Sequence, residues 1–278
     1  MSGRARLAGR LRAAATGLVL PLALLLIWEA CARAGLFSAV VLPAPSAVLQ
    51  KGWQSLQPVA PWDPAQQSRI AWLLSGELID DAIASLSRVL MGFGVGAGLA
   101  LPTGLLMGAS PRAYALCNPL LQVLRPIPPI AYIPLAILWF GLGNPPSVFL
   151  IALGAFFPVL MNTIAGVRQV DGIYLRAARN LGVGRRTMFL RVILPAAMPY
   201  ILAGVRIGIG TAFIVVIVSE MIAVNNGLGF RILEAREFMW SDKIIAGMLT
   251  IGLLGLGLDT LVSRLSNHLL RWHRGLEH

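Results

Sequence analysis

Long apolar runs alternate with short polar segments along almost the whole chain. A helix that crosses a bilayer needs about 20 mostly apolar residues, and six runs reach this length. The predicted spans cover residues 13–32, 83–107, 114–140, 147–167, 200–224 and 244–265. The pattern therefore predicts an all-α, polytopic membrane protein with about six transmembrane helices.

The first span has two interpretations. Arginines precede it, and Ala30-Cys31-Ala32 resembles the small-residue cleavage site of a secretory signal. Trp28 and Glu29 fit such a site poorly, so an uncleaved first helix is favoured. Residues 35–76 follow with five prolines, which argue against one continuous span. We expect an outer loop with short helical pieces there, and a second polar loop over residues 225–243, which contain Gly227 and Gly229.

Two later spans carry breaks or small residues. The third is interrupted by Arg125-Pro126-Ile127-Pro128-Pro129, and proline breaks the helical hydrogen-bond ladder. In a membrane such a break is tolerated where protein or a water-filled cavity satisfies the freed backbone groups, so a pathway is predicted beside it. The second span carries small residues that would let helices approach closely in lipid, namely Gly92, Gly94, Gly96, Gly98, Gly104 and Gly108.

Composition supports a membrane protein. The chain of 278 residues is 57% hydrophobic and 13% charged, whereas soluble domains carry about 25% charged residues. Its net charge of +11 comes from short basic clusters between apolar runs rather than from one helix face, so no nucleic-acid partner is expected. Two cysteines, and histidines at unsuitable spacing, predict no metal site and no cofactor held by this chain.

The basic residues also predict the orientation of the chain. With the N-terminus inside, the outer segments hold Lys51, Arg69, Arg231, Arg236 and Lys243. The inner segments hold Arg4, Arg6, Arg10, Arg12, Arg112, Arg168, Arg176, Arg179, Arg185, Arg186, Arg191, Arg264, Arg271 and Arg274. By the positive-inside rule, both termini and the segment 168–195 are predicted to be cytoplasmic.

The cytoplasmic segment 168–195 has the signals of two short helices. Asp171 can cap a helix that begins near Gly172, and Gly182 suits the end of that helix. A second helix is predicted over 185–192, ending before Pro195. The adjacent small residues Ala177 and Ala178 would let a partner approach a helix–turn–helix elbow. A solvated basic loop is the alternative interpretation.

The elbow residues resemble a known coupling motif. Arg176-Ala177-Ala178, then Gly182, then Leu194-Pro195 are spaced like the EAA loop of ABC-importer permeases, with Arg176 where that motif has glutamate. Further stretches are similar to permeases of the aliphatic sulfonate, taurine, nitrate and bicarbonate importer group. They lie at 42–48, 124–129, 138–143, 154–158, 162–163, 219–221 and 227–229.

This resemblance implies the permease fold of type I importers in the bacterial inner membrane. Two permease copies would form a homodimer around a central path, and a periplasmic or lipid-anchored binding protein would deliver the substrate. Two cytoplasmic ATPases would hold ATP and Mg and bind the elbows at Arg176, Ala177, Ala178, Gly182, Leu194 and Pro195. The implied organisation is an N-terminal part (1–76), a core transmembrane domain (77–270) that includes the elbow (168–195), and a tail (271–278).

The sequence contains no phosphate-binding loop of its own. That motif needs Gly-Lys followed by Ser or Thr, and the two lysines, Lys51 and Lys243, follow Gln50 and Asp242. We therefore expect no enzyme activity from this chain and assign ATP hydrolysis to a partner.

Ionisable residues inside spans are costly and are candidates for function. We assign Arg125, Pro126, Pro128, Pro129 and Glu220 to the translocation pathway or its gate, with a structural ion pair as the open alternative for the two charged residues. For Arg206 and Asp259, which lie in the fifth and sixth spans, pairing is favoured over a role in the path.

The favoured substrate is a small anion, and an organosulfonate such as taurine or an alkanesulfonate is preferred. Nitrate, bicarbonate, an aromatic carboxylate or a thiamine precursor remains open. An ion-coupled secondary transporter is the competing class, because such proteins bury carboxylates in the membrane. A membrane-embedded enzyme is least favoured, since no cluster of catalytic side chains is visible.

Overall fold

A computed structural model describes residues 2–62 and 68–270, without the side chains of residues 2–16, 18 and 71. The described residues are predominantly helical, in agreement with the predicted all-α fold. The α-helices are α1 (Ser2–Arg33), α2 (Pro45–Leu56), α3 (Arg69–Leu73), α4 (Glu77–Ala109), α5 (Pro111–Leu124), α6 (Ile133–Phe140), α7 (Asn144–Arg168), α8 (Gly172–Asn180), α9 (Arg185–Met188), α10 (Leu194–Ala223), α11 (Leu228–Glu237) and α12 (Ser241–Leu269). A 3₁₀-helix (Pro129–Tyr132) precedes α6, and a π-helical turn (Phe189–Ile193) joins α9 to α10.

The chain divides into two compact units. Unit 1 is Met1–Ile79 with Ile232–Leu249, and unit 2 is Asp80–Arg231 with Thr250–His278. In unit 1, the Glu29 carboxylate of α1 accepts hydrogen bonds from the backbone N–H and the hydroxyl of Ser46, at 3.0 and 2.8 Å. These bonds satisfy a donor in the first turn of α2, where backbone N–H groups have no partner within the helix. The short helical pieces predicted over 35–76 are confirmed as α2 and α3.

One prediction about the polar segments is wrong. Residues 225–243 were expected to form a loop, but α11 occupies Leu228–Glu237. The two glycines that suggested a loop lie at the entrance of this helix. Gly227 precedes α11 with φ +103°, and Gly229 lies in its first turn. Glycine can adopt the backbone conformation before a helix at little cost in free energy. The two glycines therefore did not indicate a segment without helical structure.

In unit 2, α7 is the central helix and packs against α4 and α10. The core contains Val89 from α4, Ala155 from α7 and Val216 from α10, all with almost no exposed surface. Close approach between α4 and α7 depends on small residues four positions apart. A Cβ added at Gly96 would lie 2.3 Å from the Ala152 carbonyl oxygen, and one at Gly92 would lie 2.5 Å from Ile151.

The same four-residue spacing continues along α4. Gly104 lies against Thr163 and Gly108 against Val167, so an added Cβ would come within 2.8 and 2.6 Å of those side chains. Gly94 and Gly98, in contrast, have no atom within 4 Å of an added Cβ. The predicted role of the glycines is therefore confirmed for one face of α4 only.

The described residues contain four helices that are long and apolar enough to cross a membrane. They are Glu77–Ala109, Asn144–Arg168, Arg185–Ala223 and Ser241–Leu269. The pair Pro111–Leu124 and Pro129–Phe140 meets the same criteria together and is bent by 81°. These five regions coincide with the predicted second to sixth spans, and α1 includes the first. The break in the third span is confirmed at the predicted prolines.

The second elbow helix was predicted to end before Pro195, and this prediction is wrong. The helix starting at Arg185 continues to Ala223 as one helical segment of 39 residues. Pro195 is the second residue of α10, and this helix directly follows the π-helical turn Phe189–Ile193. The wider hydrogen-bond pattern of a π-turn accommodates a residue that has no backbone N–H, so the helix passes through the proline.

Candidate functional site

The elbow begins with the cap that the sequence predicts. The Asp171 carboxylate accepts a hydrogen bond from the Ile173 N–H at 2.8 Å, and α8 starts at Gly172. At the other end, Gly182 has φ +71°, a conformation that glycine adopts at little cost. The Val183 N–H bonds to the Ala178 carbonyl at 3.1 Å, and the Gly182 N–H bonds to the Arg179 carbonyl at 3.0 Å. These two bonds form the Schellman closure of a helix.

The surface of the elbow combines apolar and cationic side chains. Leu181 is 82% exposed at the turn, and Ile173 and Tyr174 are also exposed on α8. Arginines surround them, and each of these is exposed: Arg176, Arg179, Arg185, Arg186 and Arg191. Ala177 is exposed, but Ala178 is 7% exposed and lies within the chain. Of the two small residues expected to meet a partner, only Ala177 is exposed.

The elbow continues without a break into a predicted span. Leu194 and Pro195 are half-buried at the start of α10, within the helical segment Arg185–Ala223. At 1.5 Å per residue this segment is about 58 Å long. At the entrance to the elbow, the Arg168 guanidinium lies 4.0 Å from the centre of the Tyr114 ring, a cation–π contact that joins the end of α7 to α5.

The proline break borders a cavity of about 400 Å³. Arg125 directly follows α5 and is exposed, and the described residues provide no hydrogen-bond or ion-pair partner for its guanidinium. The cavity wall includes Arg125, Pro128, Pro129, Phe157, Asn162 and Ile207. Pro126 lies in the bend between α5 and the 3₁₀-helix but does not line the cavity. The break thus places an unpaired guanidinium beside an open space, which is a suitable arrangement for binding an anion.

Glu220 does not line this cavity. Its side chain is 0% exposed and forms an ion pair with Arg88, with 2.5 Å between Oε1 and Nη1. Its other oxygen accepts hydrogen bonds from the Ser85 hydroxyl at 2.8 Å and from the Gly229 N–H at 3.0 Å. The structure therefore does not bring together the two charged residues that were assigned to one pathway. For Glu220, the ion pair with Arg88 agrees with the alternative interpretation, a structural ion pair.

Arg88 belongs to a buried polar cluster that sequence reasoning missed. Besides Glu220, it donates to the Asn144 side-chain oxygen at 2.7 Å and to the Asn226 backbone carbonyl at 3.1 Å. A second bond goes to the Asn226 side chain. We call Ser85, Arg88, Asn144, Glu220 and Asn226 the arginine–glutamate cluster. It joins α4, α7, α10 and the turn before α11.

Asp81 extends the contact between α4 and that turn. Its carboxylate accepts from the Gly227 N–H at 2.8 Å and from the Arg231 guanidinium at 2.8 Å. Gly227 itself packs against Glu220, since an added Cβ would lie 2.5 Å from the carboxyl carbon. The sequence marked Glu220 as a carboxylate inside a span. It carried no signal for pairing, because Arg88 and Glu220 are 132 positions apart.

The second intramembrane pair agrees with expectation. Arg206 of α10 donates two hydrogen bonds to the Asp259 carboxylate of α12, both at 2.7 Å. A guanidinium and a carboxylate in this bidentate arrangement form one of the stronger polar contacts in proteins. The predicted pairing of these two residues is confirmed.

The chain is similar to known components of transport systems. The family model described as "Binding-protein-dependent transport system inner membrane component" matches residues 100–275. The putative aliphatic sulfonates transport permease protein SsuC of Bacillus subtilis (strain 168) is 38% identical over 94% of this chain and 88% of its own length. The taurine transport system permease protein TauC of Escherichia coli (strain K12) is 35% identical over 90% of this chain and 86% of its own length.

A solved structure shows the same fold. The chain is similar to one from inward-facing conformations of the MetNI methionine ABC transporter, with a TM-score of 0.59 and 18% identity. The match covers 74% of this chain and 98% of the other. At this identity the likeness concerns the fold alone, and it supports the predicted permease architecture.

Proposed function

Because this chain belongs to the family of binding-protein-dependent transport system inner membrane components, we propose that it is the permease of an ATP-driven importer for a small anionic solute. Membership makes the chain a transport component of the inner membrane. The ATP-driven mechanism, the anionic substrate and the arrangement of subunits are our proposal. An organosulfonate is the favoured substrate, and the relatives named for aliphatic sulfonates and taurine support that choice.

The proposal depends mainly on one observation, the helix that continues from the elbow into the predicted span. A cytoplasmic ATPase that binds the exposed face around Leu181 would hold one end of the helical segment Arg185–Ala223. ATP and Mg²⁺ are held by that partner. When two ATPases close on their nucleotides, they push together the elbows of two permease copies. Because the helix continues through Pro195, the displacement reaches the transmembrane part and shifts the equilibrium between inward and outward access.

The cavity beside the proline break supports an anionic substrate. A sulfonate is ionised at neutral pH and offers several oxygens to a guanidinium, which binds such groups with two hydrogen bonds. Among the residues that the structure describes, Arg125 is the one charged residue in the cavity wall. Nitrate, bicarbonate and aromatic carboxylates are also anions with several oxygens that a guanidinium can bind. A thiamine precursor is the remaining alternative. A periplasmic or lipid-anchored binding protein would select among them and deliver the substrate from outside.

Removal of the Arg125 charge tests the substrate class. A hydrogen bond to a charged group contributes about 1.5–3 kcal/mol, so Arg125→Ala should lower the apparent affinity for a sulfonate about 10- to 100-fold, and Arg125→Lys should retain part of it. Arg112 provides a matched control, because it is an exposed arginine in the first turn of the same helix. Uptake of labelled taurine into cells is the measurement. Normal uptake with normal anion selectivity in Arg125→Ala would remove Arg125 from the path.

The competing secondary transporter requires a carboxylate that exchanges ions during transport. The two candidates, Glu220 and Asp259, are both held by arginines, which compete with a coupling cation for the same oxygens. This arrangement supports an importer powered by a separate subunit. Reconstituted alone in vesicles, the chain should not take up substrate when a sodium or proton gradient is applied.

A further inference from the structure

Unit 1 contains a polar cavity that the transport proposal does not use. Its volume is about 240 Å³, and it lies between α2, the start of α4 and the start of α12. Both lysines of the chain line it, with Lys51 on α2 and Lys243 on α12. The rest of the wall is formed by Gln54, Ser55, Gln57, Pro58, Val59 and Glu77. We call this cavity the lysine pocket.

The charges in the lysine pocket do not cancel. The Lys243 ammonium lies 3.5 Å from the Glu77 carboxylate and 4.5 Å from the centre of the Trp240 ring. Lys51 is half-buried, and the described residues provide no hydrogen-bond or ion-pair partner for its ammonium. With two ammonium groups and one carboxylate, the pocket has a net charge of about +1 at neutral pH. The amides of Gln54 and Gln57 supply further donors.

Large apolar side chains are exposed on the elements that carry the pocket. Trp53 lies two residues after Lys51 and is 65% exposed, and Val59 of the pocket wall is 79% exposed. Three consecutive exposed residues, Phe238, Met239 and Trp240, precede α12. Phe238 and Trp240 stack with ring centroids 4.8 Å apart. We call these five side chains the apolar collar.

Tryptophan and lysine side by side are typical of the membrane–water interface, where an apolar ring meets the hydrocarbon and a charge meets the headgroups. A free oxyanion would need only the lysine pocket. The apolar collar adds contacts that suit a ligand with both a negative head and a hydrocarbon tail.

We propose that the lysine pocket binds the phosphate of an anionic phospholipid, with Lys51 as the principal cationic contact and the apolar collar against the acyl chains. The phosphodiester takes the place of the missing partner of Lys51. This inference depends on the chain lying in a membrane. It does not depend on an ATPase, on the direction of transport or on the substrate, so each proposal can fail without the other.

Lipid binding is tested on the full-length protein, purified and reconstituted into nanodiscs that contain phosphatidylglycerol and phosphatidylcholine. Native mass spectrometry counts the lipids that stay bound after release from the disc. The wild-type protein should retain phosphatidylglycerol in preference to phosphatidylcholine. Lys51→Ala should lower this retention about tenfold, and Lys51→Arg should preserve it. Equal retention of the two lipids by the wild type would overturn the proposal.

Arg69 provides the matched control. It is an exposed cation of the same unit, it lies 4.9 Å above the Trp62 ring, and it is not part of the lysine pocket. Arg69→Ala should retain phosphatidylglycerol as the wild type does, and an equal loss in Arg69→Ala and Lys51→Ala would show a general charge effect and contradict a site.

Inorganic phosphate distinguishes a lipid from a free ion. Added at millimolar concentration to lipid-depleted protein, it should not replace the phosphatidylglycerol signal. Tight phosphate binding that depends on Lys51, without lipid retention, would assign the pocket to a free oxyanion and overturn the lipid.

Discussion

The contact between Arg88 and Glu220 is a buried ion pair in unit 2, and we expect unit 2 to be sensitive to substitution of either residue. Both side chains are almost completely buried, at 3% and 0% exposure. When one partner of a buried ion pair is removed, the other is left as an uncompensated charge, which typically costs about 3–5 kcal/mol. The remaining members of the arginine–glutamate cluster would then keep donors or acceptors without partners.

We predict that Arg88→Gln and Glu220→Gln each lower the free energy of unfolding by about 3 kcal/mol. The double variant should lose less than the sum of the two single losses, because no isolated charge remains. Thermal unfolding in detergent measures these changes. Arg33→Gln, at an exposed i,i+4 pair with Glu29, should leave the midpoint unchanged. Additive losses in the double variant would contradict direct coupling.

At the residue scale, the sequence predicted interactions between residues a few positions apart. It did not predict which residues distant in the sequence form pairs. Asp171 and Gly182 act on backbone groups within a few positions, so their residue types were enough to predict the cap and the end of α8. Glu220 was recognised as unusual because a carboxylate in a span is costly. Its partner could not be predicted, since periodicity contains no information about which helix lies beside which.

At the scale of elements, the contact between α4 and α7 is set by small residues on one face of α4. We predict that Gly96→Ala destabilises unit 2 by about 1–3 kcal/mol, the usual cost of overfilling a packed interior, because the added Cβ would meet the Ala152 backbone at 2.3 Å. Gly98→Ala is the control, since its Cβ meets nothing within 4 Å. Equal unfolding midpoints for the two variants would contradict this packing.

The turn between α8 and α9 gives a second prediction at this scale. Gly182 has φ +71° and open space around it, so Gly182→Ala should strain the backbone by about 1–2 kcal/mol without a steric clash. Gly184 has φ −66°, and Gly184→Ala should be tolerated. We expect Gly182→Ala to weaken co-purification of the ATPase and reduce uptake, while Gly184→Ala does neither. Identical behaviour of the two variants would argue against a role for this turn in coupling.

The elements that were predicted well are those with long apolar runs. The second to sixth spans appear where hydrophobicity placed them, and the prolines after Arg125 do break the third. The helix Leu228–Glu237 was missed because its charged residues and flanking glycines have the composition of a loop. Pro195 was misinterpreted as a helix end because the π-helical turn that accommodates it leaves no simple pattern in the sequence.

At the scale of the whole molecule, function depends on which side of the membrane each segment occupies. Family membership establishes a transport component of the inner membrane, and the arginine distribution predicts that the elbow is cytoplasmic. Arg176 stands where the coupling motif has glutamate, so the proposed contact with an ATPase would have the opposite charge at this position. We expect the apolar side chain of Leu181, rather than this charge, to be the main anchor, because exposed apolar anchors are typical of interface centres.

Site-specific photo-crosslinking in intact cells tests the coupling elbow most directly. A photoreactive amino acid is placed at Leu181, which is 82% exposed on the predicted inner side, or at Val59, which is 79% exposed on the predicted outer side. The account predicts that Leu181 forms an adduct containing peptides of a P-loop ATPase and that Val59 does not. Labelling of a cysteine at position 181 by a membrane-impermeant reagent from outside the cell, or an ATPase adduct at Val59 alone, would contradict it.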